Sequence, residues 1–99
     1  MLIVVLPAYN EVEALPRLLE RFREVAPRFP HPFRILVVDD GSQDGTAEAA
    51  EKASTAESPV EVIRHDRNRG LCAALDTGFT RAVQLATGDD DLLVTMDSD

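Results

Sequence analysis

Residues 35–46 read ILVVDDGSQDGT, and this stretch decides the fold. Four apolar residues run directly into Asp39 and Asp40, and a polar segment with two glycines follows. An unbroken apolar run is typical of a strand that is buried on both faces, as in a parallel sheet. Ligands of such sheets bind beyond the carboxyl ends of the strands, where the two acids stand. The stretch predicts either a ligand-binding turn or an acidic turn that caps the next helix, and on its own it favours neither.

Strands and helices alternate along the rest of the chain. Apolar runs predict strands at Leu2–Leu6, Arg34–Val38, Val60–Arg64 and Leu92–Met96. Apolar residues at helical spacing predict helices from about Leu15 to Ala26, from Gly45 to Ala56 and from Leu71 to near Gly88. Gly78 lies inside the third of these helices, where glycine costs roughly 1 kcal/mol relative to alanine. We therefore expect the helix to approach a neighbour closely at Gly78.

The alternating order with short connections determines the expected fold class. Strand, helix and strand units of this kind form parallel strands joined by right-handed crossovers. We expect a single α/β domain over residues 1–99, with three layers (α/β/α) and a mainly parallel sheet of four strands alternating with three helices. All four strand ends then lie on one edge of the sheet, and the residues that follow them converge there.

Composition excludes several classes of partner. A net charge of −8 argues against a nucleic-acid or anionic-membrane surface, which would need a basic face. Cys72 is the only cysteine, so the chain has no internal disulfide or thiolate zinc site, and a reducing, cytoplasmic location is the simplest expectation. The apolar run Leu2–Leu6 is too short to span a bilayer, so no transmembrane segment is expected in this chain.

Four short polar motifs follow the four predicted strands. They are Pro7-Ala8-Tyr9-Asn10-Glu11, Asp39-Asp40-Gly41-Ser42 with Asp44-Gly45-Thr46, Asn68-Arg69-Gly70 and Asp97-Ser98-Asp99. Each motif alone is common, but their order and spacing along the chain are specific.

On these motifs the chain resembles the nucleotide-sugar-binding N-terminal half of family 2 glycosyltransferases of the GT-A fold. Polyprenyl-phosphate sugar transferases of the dolichol-phosphate mannose synthase type look most similar, and the resemblance covers nearly all 99 residues. It implies metal-dependent transfer of a sugar, with inversion, from a UDP- or GDP-sugar donor. The implied acceptor is a polyprenyl phosphate or a glycan, at the cytoplasmic face of a membrane in the first case.

The resemblance also assigns roles to individual residues. The acid that matches Asp40 accepts a hydrogen bond from the ring N–H of uracil or guanine, a task that suits a carboxylate because it only accepts. Asp97 and Asp99 match the D-x-D motif, which binds Mg²⁺ or Mn²⁺ together with the donor diphosphate. The implied nucleotide-binding residues are Pro7, Ala8, Tyr9, Glu11, Asp40, Arg69, Gly70, Asp97 and Ser98.

Some of these roles have equally good structural interpretations. Tyr9 can be an ordinary half-buried aromatic residue, and Arg69 can be a solvated loop charge. Arg69 and Gly70 precede the third helix, where N–H groups and a guanidinium can meet a phosphate. Asp39 is expected to support its turn. His65 is expected to be structural, because nothing near it in the sequence completes a catalytic pair.

The family's general base and acceptor site follow the D-x-D motif. No catalytic residue is therefore assigned within this chain, and the general base is expected beyond Asp99. The chain is expected to be a truncated donor-binding half that is inactive by itself. An exposed sheet edge would then favour a homo-oligomer.

Two other classes of function fit parts of the sequence. A receiver-type signalling domain also has paired acids after an apolar strand, and Asp97 would be its phosphoacceptor. Two features count against a receiver domain. Its acid pair follows the first strand, whereas here the acids follow the second. It also uses a lysine at the end of a late strand, whereas Lys52, the only lysine, lies in a predicted helix. A non-catalytic nucleotide-binding module is the remaining alternative.

Overall fold

The computed structural model describes residues 1–56, 58–86 and 91–96. Its strands are β1 (Leu2–Ala8), β2 (Phe33–Asp39), β3 (Val60–Arg64) and β4 (Leu92–Thr95). Its helices are α1 (Ala14–Val25), α2 (Thr46–Lys52) and α3 (Leu71–Leu85), with a short 3₁₀ turn at Ala26–Arg28. No helix among these residues is long and apolar enough to cross a membrane.

The four strands form one parallel sheet in the order β3-β2-β1-β4. β1 pairs with β2 along its whole length, from Leu2 opposite Phe33 to Ala8 opposite Asp39. On its other side β1 pairs with β4, from Leu2 opposite Leu92 to Val5 opposite Thr95. The predicted α/β fold class, with a parallel four-stranded sheet and three helices, is confirmed.

Helices cover both faces of the sheet, which explains the unbroken apolar strands. One face packs against α1 and α2 through a cluster that includes Val4, Leu6, Ile35, Val37, Leu15, Leu19 and Ala50. The opposite face packs against α3 through Ile3, Val5, Leu36, Val38, Ala74 and Ala82. Side chains alternate between the two clusters along β1 and β2, as the strand period of two requires.

Two helix boundaries follow from local chemistry. Pro16 lies in the first turn of α1, where its missing N–H and fixed φ are tolerated. α2 ends at Lys52, four residues before the predicted end. Ser54 Oγ accepts a hydrogen bond from Val60 N–H at 3.0 Å, and Thr55 Oγ1 accepts one from Ser58 N–H at 3.0 Å. These side chains stabilise a turn where the apolar pattern alone predicts more helix.

α3 approaches the sheet closely at Gly78, as predicted. A Cβ at this position would lie 2.4 Å from Val5 Cγ1 and 3.1 Å from Val38 Cγ2. The absence of a side chain therefore sets the distance between α3 and the two central strands.

β4 is an edge strand with an incompletely covered surface. Leu93, Val94 and Met96 are each more than two-fifths exposed, and Val83 on the neighbouring helix is 71% exposed. An edge with exposed apolar side chains favours pairing with further polypeptide. Self-association through this edge stays a prediction.

We expect Gly78→Ala to lower the free energy of unfolding by about 1–2 kcal/mol. Overpacking costs about 1–3 kcal/mol, and a Cβ only 2.4 Å from Val5 Cγ1 places this site toward the upper end, at about 2–3 kcal/mol. The better helix propensity of alanine returns roughly 1 kcal/mol. Denaturant unfolding measures the difference. Thr80→Ala, an exposed position in the same helix, is the matched control and should change stability little. A Gly78→Ala variant as stable as the wild type would contradict the close contact.

Candidate functional site

The loops that follow β1 and β2 are hydrogen-bonded to each other. Asn10 N–H donates to Ser42 Oγ at 2.8 Å, and Gln43 N–H donates to Asn10 Oδ1 at 3.0 Å. Asn10 has a φ of 52°, a conformation that asparagine tolerates better than most residues. The exchange of donors and acceptors holds the two loops side by side.

A second set of contacts ties the same loops at the start of α2. Glu11 N–H donates to Thr46 Oγ1 at 2.9 Å, and Val12 N–H donates to Asp44 Oδ2 at 3.3 Å. Asp44 Oδ1 accepts hydrogen bonds from both the N–H and the hydroxyl of Thr46. The Thr46 hydroxyl, with the N–H groups of Val12 and Thr46, lowers the pKa of Asp44. The side chains of Asp44 and Thr46 thus form the hydrogen bonds that hold the two loops together.

Asp39 and Asp40 point to opposite faces of the sheet, because strand side chains alternate. Asp39 lies two residues after Val37 and so points to the same face of the sheet, the one that α1 and α2 cover. Its Oδ1 accepts a hydrogen bond from Ser42 N–H at 3.3 Å. This contact supports the turn, as expected for Asp39. Asp40 shares the parity of Val38 and faces α3.

Asp40 binds donors from the chain segment between β3 and α3. Its Oδ1 accepts from Arg69 N–H at 2.9 Å and contacts His65 Nδ1 at 2.7 Å. Its Oδ2 accepts from Gly70 N–H at 2.9 Å. Burial raises the pKa of Asp40, but the hydrogen bonds from His65, Arg69 and Gly70 outweigh it and hold the pKa below its usual value. Asp40 is therefore an ionised carboxylate with three protein donors.

His65, expected to be structural, bonds to side chains that are distant from it in the sequence. Its side chain is only 5% exposed, and both ring nitrogens are bonded, Nδ1 to Asp40 and Nε2 to Thr77 Oγ1 at 2.8 Å. The register explains the first contact, because Asp39 lies opposite Arg64, which brings the next residues of the two strands together. His65 and Asp40 are 25 residues apart in the sequence, so no local pattern shows that they pair.

Gly41 allows the closest approach between the loops after β2 and β3. A Cβ on Gly41 would lie 2.4 Å from the carbonyl carbon of Arg67 and 2.5 Å from the nitrogen of Asn68. Gly41 also has a φ of +80°, a backbone conformation that residues with a side chain rarely adopt. No other residue fits this position without moving one of the loops.

The remaining predicted residues are distributed along the same edge. Tyr9 is 46% exposed, and Ala8 is buried, with its carbonyl accepting a hydrogen bond from Asp40 N–H at 2.8 Å. Pro7 lines a cleft of about 270 Å³ with Leu71, Leu75, Thr95 and Met96. Within residues 1–56, 58–86 and 91–96, no acceptor binds the exposed Arg69 guanidinium.

The predicted metal ligands fall outside these residues. Asp97, Ser98 and Asp99 are not among the described residues, so their role stays a prediction. Among the described residues, no group of three or more His, Cys, Asp or Glu side chains could hold a metal ion. A free cysteine usually behaves as a small buried hydrophobic residue, and the sequence alone predicts this for Cys72. In the structure Cys72 is exposed in the first turn of α3, so this prediction is wrong.

The contacts define one structure, which we call the rim: the loop Tyr9–Glu13, the loop Asp40–Gly45 and the loop His65–Gly70. Hydrogen bonds and the Gly41 contact join the three loops at the carboxyl ends of β1, β2 and β3. Sequence reasoning missed Asn10 and His65 as members of the rim, and it missed Thr46 as the residue of α2 that accepts a hydrogen bond from the rim. Their only signal was position, since each lies in or beside a motif at a strand end.

A protein-family model described as glycosyl transferase family 2 matches residues 3–99. Two sequence relatives are undecaprenyl-phosphate 4-deoxy-4-formamido-L-arabinose transferases. The protein from Proteus mirabilis is 39% identical over 97 residues, which are 97% of this chain and 28% of that protein. The protein from Pseudomonas fluorescens is 36% identical over 97 residues, covering 97% of this chain and 27% of the relative.

Two solved structures share the fold. One is a mannosyltransferase from Pyrobaculum calidifontis in complex with GDP-Man and Mn²⁺, with a TM-score of 0.69 and 27% sequence identity. The match covers 99% of this chain and 27% of the mannosyltransferase chain. A mannosyl-3-phosphoglycerate synthase from Rubrobacter xylanophilus has a TM-score of 0.76 and 26% identity, covering 100% of this chain and 31% of its own.

The chain thus spans less than a third of the length of these relatives. The family match extends over nearly every residue, including the four strand-end motifs, and the structural neighbours have the GT-A architecture predicted from the sequence. The chain belongs to glycosyl transferase family 2.

Proposed function

We propose that this chain is the donor-binding part of an inverting glycosyltransferase that uses a UDP- or GDP-sugar. The observation that carries the proposal is the rim, in which three strand-end loops are fixed to one another around the Asp40 carboxylate. A rigid polar edge at the carboxyl ends of parallel strands is where nucleotides bind in open α/β sheets. The complex of a structural neighbour with GDP-Man and Mn²⁺ supports this class of ligand.

The base would be recognised at the centre of the rim. A carboxylate has about four acceptor positions, and Asp40 uses three of them on protein donors. The position left on Oδ2 is the one we assign to the ring N–H of uracil or guanine. Tyr9, with its exposed ring, and the neighbouring Pro7, Ala8 and Glu11 would border the base and ribose.

The phosphates would be bound through a side chain. Both N–H groups proposed from the sequence for this task, those of Arg69 and Gly70, already donate to Asp40. The Arg69 guanidinium is exposed and carries a permanent charge, so it is the group we assign to the diphosphate.

A divalent cation would complete the donor site. Asp97 and Asp99 follow β4 in the sequence, and β4 pairs with β1, whose own loop belongs to the rim. Carboxylate oxygens are hard ligands that suit Mg²⁺ or Mn²⁺, and such an ion neutralises charge on a departing diphosphate. Ser98 would contact the donor between the two acids.

The acceptor that we propose is a polyprenyl phosphate. The sequence relatives named above are undecaprenyl-phosphate sugar transferases, and this name is what supports the choice. An activated acceptor oxygen would displace the diphosphate at the anomeric carbon, which inverts its configuration. The general base for this step is not assigned among the residues of this chain. Family membership favours this function over a receiver domain phosphorylated on Asp97.

Titration calorimetry with UDP and with GDP, each with and without Mn²⁺, tests the donor class. We expect one nucleotide to bind and Mn²⁺ to tighten its binding by about tenfold or more, which corresponds to roughly 1.4 kcal/mol. Acetyl phosphate, the control for a receiver domain, should not label the chain. Binding of neither nucleotide in the presence of Mn²⁺ would sink the proposal.

Asp40→Asn should weaken nucleotide binding by about tenfold or more, because a carboxylate that accepts hydrogen bonds becomes an amide that also donates. Asp97→Asn should instead remove most of the Mn²⁺ effect. Asp39→Asn, at the same strand end, is the matched control and should change affinity less than Asp40→Asn.

A nucleotide methylated on its ring N–H separates base recognition from support of the rim. It should bind the wild type more weakly than the unmodified nucleotide, and it should lose this disadvantage in Asp40→Asn. Equal penalties in both proteins would show that Asp40 does not contact the base.

A further inference from the structure

We propose that His65 is a positioning residue for the donor nucleotide: it connects Thr77 in α3 to the Asp40 carboxylate and so holds the loop His65–Gly70 in the rim. The inference rests on the proposed function for its link to nucleotide binding. The connection itself rests only on contacts within the protein.

The partners of His65 determine its tautomer. The Asp40 carboxylate is ionised and only accepts hydrogen bonds, so His65 Nδ1 must carry the hydrogen on the 2.7 Å contact. Nε2 is bonded to the Thr77 hydroxyl over 2.8 Å, and we assign the hydrogen of this bond to the hydroxyl. The order of donation is Thr77 hydroxyl to His65 to Asp40.

Burial of His65 and Asp40 makes their hydrogen bonds hard to replace. The side chains of His65 and Asp40 are 5% and 6% exposed, so water cannot readily replace a lost partner. Removing the Thr77 hydroxyl leaves Nε2 without its partner and frees the ring to change its orientation. A change of orientation withdraws the Nδ1 donor from Asp40.

Asp40 transmits the change to the rim. Its carboxylate binds the N–H groups of Arg69 and Gly70, and Gly70 has a φ of +96° at the start of α3. The guanidinium assigned to the diphosphate belongs to one of these two residues. The orientation of Arg69 therefore depends on a hydroxyl about two turns along α3, which acts through His65 and Asp40.

The first measurement needs no nucleotide. Nitrogen NMR of the 99-residue chain should show His65 with its hydrogen on Nδ1. Thr77→Val should change this signal and shift the amide signals of Arg69 and Gly70, and Thr77→Ser should restore all of them because it keeps the hydroxyl. Thr80→Val, the same substitution at an exposed position of the same helix, should shift none of them. A hydrogen on Nε2 in the wild type would overturn the proposed order.

The second measurement is the affinity for the nucleotide that the wild-type chain binds in the presence of Mn²⁺. We expect Thr77→Val to weaken binding by about three- to tenfold, since one buried neutral hydrogen bond is lost. Thr77→Ser and Thr80→Val should match the wild type. His65→Asn, whose amide can replace Nδ1 as the donor to Asp40, should bind more tightly than His65→Leu.

The outcomes separate the two proposals. If the wild type binds nucleotide and Thr77→Val binds it equally well, the positioning role is overturned and the proposed function stands. If the wild type binds neither nucleotide while the NMR signals behave as expected, the donor site and the positioning role fall together, and the connection from Thr77 to Asp40 is a feature of the fold alone.

Discussion

The organisation of the rim depends on one buried, ionised carboxylate. Removing an isolated carboxylate from water is unfavourable by several kcal/mol unless hydrogen bonds compensate it. Asp40 meets this requirement with donors from His65, Arg69 and Gly70, and all three belong to the segment between β3 and α3. Because the pKa of Asp40 is lowered in the fold, these bonds stabilise the native state at neutral pH, and this stabilisation is lost as the pH falls through the lowered pKa.

The loop after β2 is the part of the rim to which both other loops attach. On one side Ser42, Asp44 and Thr46 bind the loop after β1. On the other side Asp40 and Gly41 hold the loop after β3 by hydrogen bonds and by direct backbone contact. β2 lies between β1 and β3 in the sheet, so its loop is the only one of the three that can reach both neighbours.

The sequence predicts the fold well because the decisive signals are local. Apolar runs that end in polar turns define the strands, and Gly78 correctly indicated a close contact of α3. The site is predicted less completely. His65 and Asp40 are distant in the chain, and their pairing depends on the register of β2 with β3, which no local pattern encodes. The shortened α2 likewise reflects side-chain hydrogen bonds of Ser54 and Thr55 that compete with helix formation.

Among the described strands, β4 lies at one edge of the sheet and is held by fewer neighbours than β1 and β2, which carry two loops of the rim. β4 pairs only with β1 among the described strands, and its side chains Leu93 and Val94 are substantially exposed. Local opening requires less free energy where few contacts are buried, so we expect β4 to open before the bonds around Asp40 are lost. The three loops of the rim then keep their arrangement in states in which this edge strand has opened.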